Sequence, residues 1–228
     1  MKNFKHALVN TMPVLASYLF LGIAFGMLLV KEGYSPIFSL VCGLVIYAGS
    51  MQMALVPLLV SHAPLYLIGI MTLFINGRHM FYGISFLERF KRMGIKFPYM
   101  VYTTTDETYS VLCNIQYTED VDPSQVDFYV HVICHVVWSL SCFLGSILGG
   151  ILPMGLEGIE FSATAFFVTV VVEQLRNAPS KVPFFIGLFS AIIFLFLLGP
   201  SKFIVPALAV SVIALMVAKD RIYLRRKA

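Results

Sequence analysis

Long apolar stretches recur along this chain of 228 residues, and each is long enough to cross or enter a membrane. Hydrophobic residues make up 59% of the chain and charged residues only 12%, which excludes an ordinary soluble domain. The sequence therefore predicts an all-α, multi-pass protein of the cytoplasmic membrane, with 1–228 forming a single membrane domain. The apolar stretches are 13–30, 36–60, 64–87, 128–150, 159–175, 182–198 and 203–218, and 99–118 is a more polar candidate.

The third stretch carries an arginine, Arg78, in the middle of its apolar run. A guanidinium at the middle of a bilayer costs about 2.5–3.5 kcal/mol on insertion scales, so such a residue faces the bundle interior or an aqueous cavity and pairs with an anion. The anion is either a ligand carboxylate or a carboxylate of the protein. In the second case Arg78 only anchors its helix, through a structural ion pair with Asp106, Glu107 or Glu173.

Two further polar side chains flank the arginine. Asn76 and His79 lie beside it, and Gly77 loosens the backbone between them. A cluster of polar groups beside a glycine is more typical of a substrate-facing patch than of a lone structural arginine.

Basic residues predict the orientation, because cytoplasmic loops carry the lysine and arginine excess. They flank the apolar stretches instead of forming one basic face, so no nucleic-acid partner is expected. The N-terminus, with Lys2 and Lys5, and the loop 88–97 are both predicted to be cytoplasmic. The chain must therefore cross the membrane an even number of times between them, although three apolar stretches lie in that part of the sequence. The stretch 36–60 is the natural one not to cross, because Ala48-Gly49-Ser50 interrupts it.

Residues 99–118 are then predicted to run outward to an external acidic loop. That loop contains Glu119, Asp120, Asp122 and Asp127. The second half repeats this plan, with 159–175 as its re-entrant segment, and Gly145-x-x-x-Gly149 matches Gly22-x-x-x-Gly26.

We therefore predict two pseudo-repeats, about 13–118 and 128–218, in inverted orientation. Each would have about three crossing helices and one broken or re-entrant segment. Many secondary transporters follow this plan and bind substrate at the midplane, where broken helices meet.

The polar residues expected near the midplane carry both signs of charge, which suits a zwitterion: arginine and helix N–H groups hold a carboxylate, and an acid holds an ammonium group. Other interpretations remain for the acids. Asp106 and Glu107 would also fit a solvated helix end, Glu173 the interface, and Glu160 a helix cap. The candidate substrate-binding residues are Gln52, Asn76, Arg78, His79, Asp106, Glu107, Glu160 and Glu173.

Four motifs in this order resemble those of the AzlC family, the large subunits of branched-chain amino acid exporters. They are Ala48 to Gln52, Asn76 to Gly83, Thr105 to Tyr109, and Gly158 to Phe161. The resemblance implies a secondary transporter that exports branched-chain or related apolar amino acids. It also implies a small AzlD-type membrane subunit as partner.

The competing classes are an intramembrane enzyme and a channel that act on a small zwitterionic or anionic solute. Arg78, His79 and Asp106 would suit acid–base chemistry, but the chain contains neither G-x-S-x-G nor H-E-x-x-H, and no filter-like repeated loop. His131 and His135 lie one helical turn apart without the further ligands that a zinc site needs. We predict no enzyme activity, no metal and no cofactor.

Overall fold

A computed structural model describes residues 1–151, 165, 168–169, 171–172, 175–176, 180–199 and 203–224, and every regular element in these ranges is helical. The chain divides into two compact units, Met1–Thr164 and Ala165–Ala228. The first contains α1 (Lys2–Lys31), α2 (Pro36–Val41), a π-helical turn (Cys42–Ile46), α3 (Gly49–Val60), α4 (Leu65–Ser85), α5 (Leu87–Lys91), a 3-10 turn (Gly94–Lys96), α6 (Phe97–Tyr102), α7 (Asp106–Asn114) and α8 (Pro123–Ile151). In the second, α9 (Val182–Leu198) and α10 (Ile204–Leu224) pack against each other.

The first unit is organised around α1 and α8, which are long and apolar enough to cross a bilayer. The two helices pack in parallel. The rings of Phe4 and Tyr129 contact each other near the helix starts, and Gly149 lies against Met27 near the helix ends. We call the end at which both helices start the near end, and the opposite end the far end.

Glycines allow this close packing. A Cβ atom added to Gly26 would overlap the carbonyl oxygen of Cys142, and one added to Gly145 would overlap that of Ile23. Only a residue without a side chain fits at such positions, which is the basis of small-xxx-small helix pairing in membranes. Gly22-x-x-x-Gly26 and Gly145-x-x-x-Gly149 are thus the surfaces through which α1 and α8 pack closely.

The segment 36–60 starts at the far end and penetrates the bundle alongside α8. The Ser39 hydroxyl lies 2.5 Å from that of Ser146, and the Leu44 carbonyl accepts a hydrogen bond from His135 Nε2 at 3.1 Å. Because the contacts move from Ser146 back to His135, this part of the chain runs antiparallel to α8.

The segment then breaks and turns back. Tyr47 takes a left-handed conformation with φ of 42°, and α3 begins two residues later. Non-glycine residues rarely adopt a positive φ, so the break is a defined structural feature. The predicted interruption of 36–60 is confirmed.

Helix α4 returns the chain to the near end. Arg78 Nη2 lies 3.3 Å from Ser50 Oγ at the start of α3, and Phe90, just after α4, packs edge-on against His131 near the start of α8. Thus 36–60 enters and leaves at the far end, whereas α4 crosses. The prediction that the N-terminus and the loop 88–97 lie on one side agrees with these contacts.

Residues 97–122 form a hairpin that enters from the near end and returns to it. At the tip, the Thr105 hydroxyl lies 2.7 Å from the Tyr18 hydroxyl in the middle of α1. Helix α7 then follows α1 backwards, and the carboxylate of Asp120 pairs with the ammonium group of Lys2 at 3.1 Å. The predicted outward crossing of 99–118 is therefore wrong.

The stretch 99–118 contains a helix boundary that its hydropathy does not reveal. The hydroxyl of Thr105 accepts a hydrogen bond from the N–H of Thr108, and the Thr108 hydroxyl accepts one from the N–H of Thr105. This capping box starts a new helix at the hairpin tip. Helices α6 and α7, with 6 and 9 residues, are each too short to cross a bilayer.

The hairpin changes the number of crossings that precede α8. Only α1 and α4 cross before it, so α8 runs in the same direction as α1. We predicted that the two repeats are inverted relative to each other because the first half was expected to cross the membrane three times. With two crossings in the first half, that reason no longer holds. The predicted re-entrant segment 159–175 lies largely outside the described residues.

A second ion pair joins the chain segments at the near end. Arg89 Nε and Nη2 donate to the two carboxylate oxygens of Asp127 at 2.6 and 2.5 Å, and the Tyr117 hydroxyl donates to the same carboxylate at 2.6 Å. The rings of Phe86 and Tyr117 lie against the guanidinium. Asp127 was predicted in an external loop, opposite Arg89. That prediction is wrong.

The hairpin predicts which loops share a membrane face. In a background without the four native cysteines, Asp122→Cys and Ile95→Cys should react with an impermeant thiol reagent only after permeabilisation, because the basic residues predict a cytoplasmic near end. Ala63→Cys, in the turn between α3 and α4, should react from outside. Labelling of positions 122 and 95 from opposite faces would contradict the hairpin.

Candidate functional site

The polar centre of the first unit is an ion pair between Arg78 of α4 and Asp106, the first residue of α7. Arg78 Nη2 lies 2.5 Å from Asp106 Oδ2, and the same nitrogen donates to Ser50 Oγ. The side chains of Arg78 and Asp106 are 28% and 34% exposed, so water or a small solute reaches them. Asp106 is one of the three acids predicted as partners of Arg78.

The ion pair leaves binding capacity unused on both partners. Arg78 Nε and Asp106 Oδ1 are buried atoms that make no hydrogen bond within the described part of the chain. His79 Nε2 lies 3.8 Å from Asp106 Oδ1. Since a buried polar atom without a partner costs free energy, a ligand that bonds to both atoms would be stabilised there.

The two broken segments of the first unit meet beside this pair. The Tyr102 hydroxyl, at the end of α6, donates to the carbonyl oxygens of Leu44 and Val45 at 2.7 and 2.6 Å. Beyond this contact both chains start a new helix, α3 close to Ser50 and α7 at Asp106. The positive end of a helix dipole favours an anion at such a start.

Glu107 faces a different environment from its neighbour Asp106. The Tyr18 hydroxyl donates to Glu107 Oε2 at 3.1 Å and lies 2.7 Å from the Thr105 hydroxyl. None of the described basic side chains pairs with Glu107. The two adjacent acids therefore have different partners: Asp106 pairs with an arginine, and Glu107 accepts a hydrogen bond from a tyrosine.

Gln52 belongs to the backbone break and not to the ion pair. Its side chain is fully buried, and Oε1 accepts hydrogen bonds from Trp138 Nε1 at 2.8 Å and from the Ala48 N–H at 3.2 Å. Gln52 thus fixes the start of α3. Asn76 lies two residues from Arg78, and residues at that spacing point to different faces of a helix.

The structure brings together Arg78, His79 and Asp106 of the predicted site, with Glu107 next to them. Glu160 and Glu173 lie outside the described residues. Sequence reasoning missed Ser50 and Tyr18. A signal existed for each: Ser50 stands in the interruption of 36–60, and Tyr18 is a tyrosine in the middle of a long apolar helix.

Aromatic rings separate the ion pair from the near end. The rings of Tyr82 and Tyr109 stack with centroids 4.5 Å apart, and Phe86 lies 5.3 Å from Tyr109. Tyr82 is one helical turn after Arg78, and Tyr109 is one turn after Asp106, so each ring lies on the same helix face as one charge. The rings form an apolar wall beside the pair.

Comparison with known proteins gives relatives over almost the whole chain. A Helicobacter pylori protein named "Uncharacterized membrane protein" is 33% identical over 97% of both chains. The Bacillus subtilis protein named "Branched-chain amino acid transport protein AzlC" is 32% identical over 90% of this chain and 81% of its own length. A Haemophilus influenzae "Uncharacterized membrane protein" is 33% identical over 87% of this chain and 82% of its own.

No solved structure matches the chain. The sequence pattern of the family described as "AzlC protein" matches residues 13–152, which run from within α1 to the end of α8 and include the Arg78–Asp106 pair. Together with the relatives above, this match places the protein in the cell membrane. The chain belongs to the AzlC family.

Proposed function

We propose that this protein is a secondary transporter that exports branched-chain amino acids, or related apolar amino acids, across the cytoplasmic membrane. The observation that carries the proposal is the Arg78–Asp106 pair, which is partly exposed where two broken segments meet. Such meeting points hold the substrate in many secondary transporters. The name of the Bacillus subtilis relative, a branched-chain amino acid transport protein, supports the substrate class.

The ion pair suits a zwitterion because both charges can be exchanged for those of the ligand. A substrate carboxylate binds Arg78 and uses its unpaired Nε, and the ammonium group binds Asp106 and uses its unpaired Oδ1. Tyr82 and Tyr109 then contact the apolar side chain of the substrate. Without substrate, the two protein charges neutralise each other.

Further parts of the proposal concern coupling and partners. Glu107, held by Tyr18 and without a described basic partner, is our candidate for a coupling proton. A small AzlD-type membrane subunit is the proposed partner, as the family membership suggests. The family membership is also the reason that we propose transport rather than catalysis.

Arg78→Lys tests the carboxylate contact. Lysine keeps the positive charge and can still pair with Asp106, but it loses the planar fork that binds a carboxylate through two nitrogens. We expect substrate counterflow in proteoliposomes to fall by about 10- to 100-fold, the equivalent of one charge-assisted hydrogen bond of roughly 1.5–3 kcal/mol. The amount of folded protein in the membrane should stay near that of the wild type.

The matched control is Arg92→Lys, the same exchange at an exposed arginine near α5, which should transport normally. Normal counterflow by Arg78→Lys would show that bidentate recognition is wrong. Loss of the folded protein would show that Arg78 is a structural anchor. Counterflow that returned a chemically changed solute would indicate an enzyme.

A further inference from the structure

A basic cleft opens at the near end, away from the Arg78–Asp106 pair. It has a volume of about 330 Å³ and lies between the first turns of α1 and residues 118–121. Three of the side chains that line it are basic, namely Lys2, Lys5 and His6. The function proposed above uses none of them.

The charges of the cleft favour an anion. Lys2 is paired with Asp120, but none of the described acidic side chains pairs with Lys5. Hydrogen bonding from the Thr118 hydroxyl and from Lys2 holds the pKa of Asp120 below its usual range, so this carboxylate stays charged and competes for Lys2. The described lining of the cleft thus has two lysines and one carboxylate.

From the cleft toward the far end, the same side of α1 is apolar and exposed. Val9 lines the cleft itself, and Met12 and Phe20 continue its line toward the middle of the helix. On a helix that spans a membrane, such exposed side chains contact lipid tails. A basic cleft at the membrane surface therefore continues into an apolar track.

We propose that this cleft binds one anionic phospholipid from the cytoplasmic leaflet. The lipid phosphate contacts Lys5 and competes with Asp120 for Lys2, and an acyl chain lies along Val9 and Met12. The combination selects a lipid over a free phosphate ion, because a free ion gains nothing from the apolar track. Basic pockets beside membrane helices on the cytoplasmic side are known to bind anionic headgroups.

Native mass spectrometry of the purified full chain tests this site, with phosphatidylglycerol and phosphatidylcholine as probes. The wild type should retain one phosphatidylglycerol molecule more tightly than phosphatidylcholine. Lys5→Gln should weaken the phosphatidylglycerol affinity by about five-fold, the factor that one lysine near an anionic lipid surface contributes. Lys5→Arg should restore it, and Asp120→Asn should strengthen it.

Lys91→Gln is the matched control, because it removes one exposed lysine from the near end outside the cleft, and its affinity should be that of the wild type. Equal affinity for the two lipids, or an unchanged affinity in Lys5→Gln, would overturn the proposal. Displacement of phosphatidylglycerol by an equal concentration of inorganic phosphate would also overturn it, since the ligand would then be a free anion.

Discussion

Arg89→Met is expected to lower the free energy of unfolding by about 3–5 kcal/mol, the usual cost of removing one partner of a buried ion pair. The substitution leaves the carboxylate of Asp127, whose side chain is 1% exposed, without its cation. Among the described side chains, only the Tyr117 hydroxyl would still donate to it. Reversible unfolding in mixed micelles gives the difference.

The reverse variant, Asp127→Asn, should cost less. The side chain of Arg89 is 32% exposed, so the guanidinium can turn to water when the carboxylate is removed. The double variant Arg89→Met/Asp127→Leu should be more stable than Arg89→Met alone, because no charge is then left buried.

The control Lys91→Met breaks an exposed pair with Glu88 and should stay within about 0.5 kcal/mol of the wild type. A cost for Arg89→Met as small as that of the control would mean that Asp127 is solvated in the membrane-embedded protein.

The Arg89–Asp127 pair also shows what a charge-based rule for membrane orientation does not predict. The rule that cytoplasmic loops are basic counts lysine and arginine and gives little weight to acids. It therefore predicted the common side of the N-terminus and the loop 88–97, which the structure places together. Glu119 to Asp127 have no basic residue among them, and we interpreted this as an external face. In the fold two of these acids, Asp120 and Asp127, pair with Lys2 and Arg89.

Hydropathy likewise does not distinguish a crossing helix from a hairpin of similar length. Residues 36–60 were identified as broken because Ala48-Gly49-Ser50 and Gln52 are hard to place against lipid. The same argument applies to 99–118, where three threonines precede Asp106. The Thr103 and Thr104 hydroxyls donate to backbone carbonyls of the preceding turn, and Thr105 caps a new helix together with Thr108. Hydropathy contains no signal for these hydrogen bonds.

Predicted depth in the membrane also does not determine which way a side chain faces. Gln52 and Arg78 were both expected at the midplane. Gln52 Oε1 accepts hydrogen bonds from Trp138 and the Ala48 N–H, whereas Arg78 pairs with Asp106. In the described part of the chain, both residues also keep one buried nitrogen without a partner, Nε2 of Gln52 and Nε of Arg78. Only the packing of α3 against α4 separates these roles, and a single sequence does not encode that packing in any local pattern.

Asp106 and Glu107 are adjacent, yet only one of their neutral variants should lose substrate exchange. Asp106→Asn should lower substrate exchange without a pH gradient on the order of 100-fold, because the ammonium ligand is lost and Arg78 is left without its partner. Efflux driven by a pH gradient should fall equally. Purified variants in proteoliposomes allow both measurements on one preparation.

Glu107→Gln should keep exchange within about two-fold of the wild type and lose most gradient-driven efflux, as expected of a proton carrier that cannot ionise. Its amide can still accept the hydrogen bond from Tyr18, so the fold around Thr105 should persist. Glu119→Gln, in the exposed near-end loop, is the matched control and should behave as the wild type in both assays. If Glu107→Gln retains gradient-driven efflux, Glu107 is not the proton carrier. If Asp106→Asn retains exchange, the substrate ammonium group binds elsewhere, and the Arg78–Asp106 pair only fixes α7 against α4.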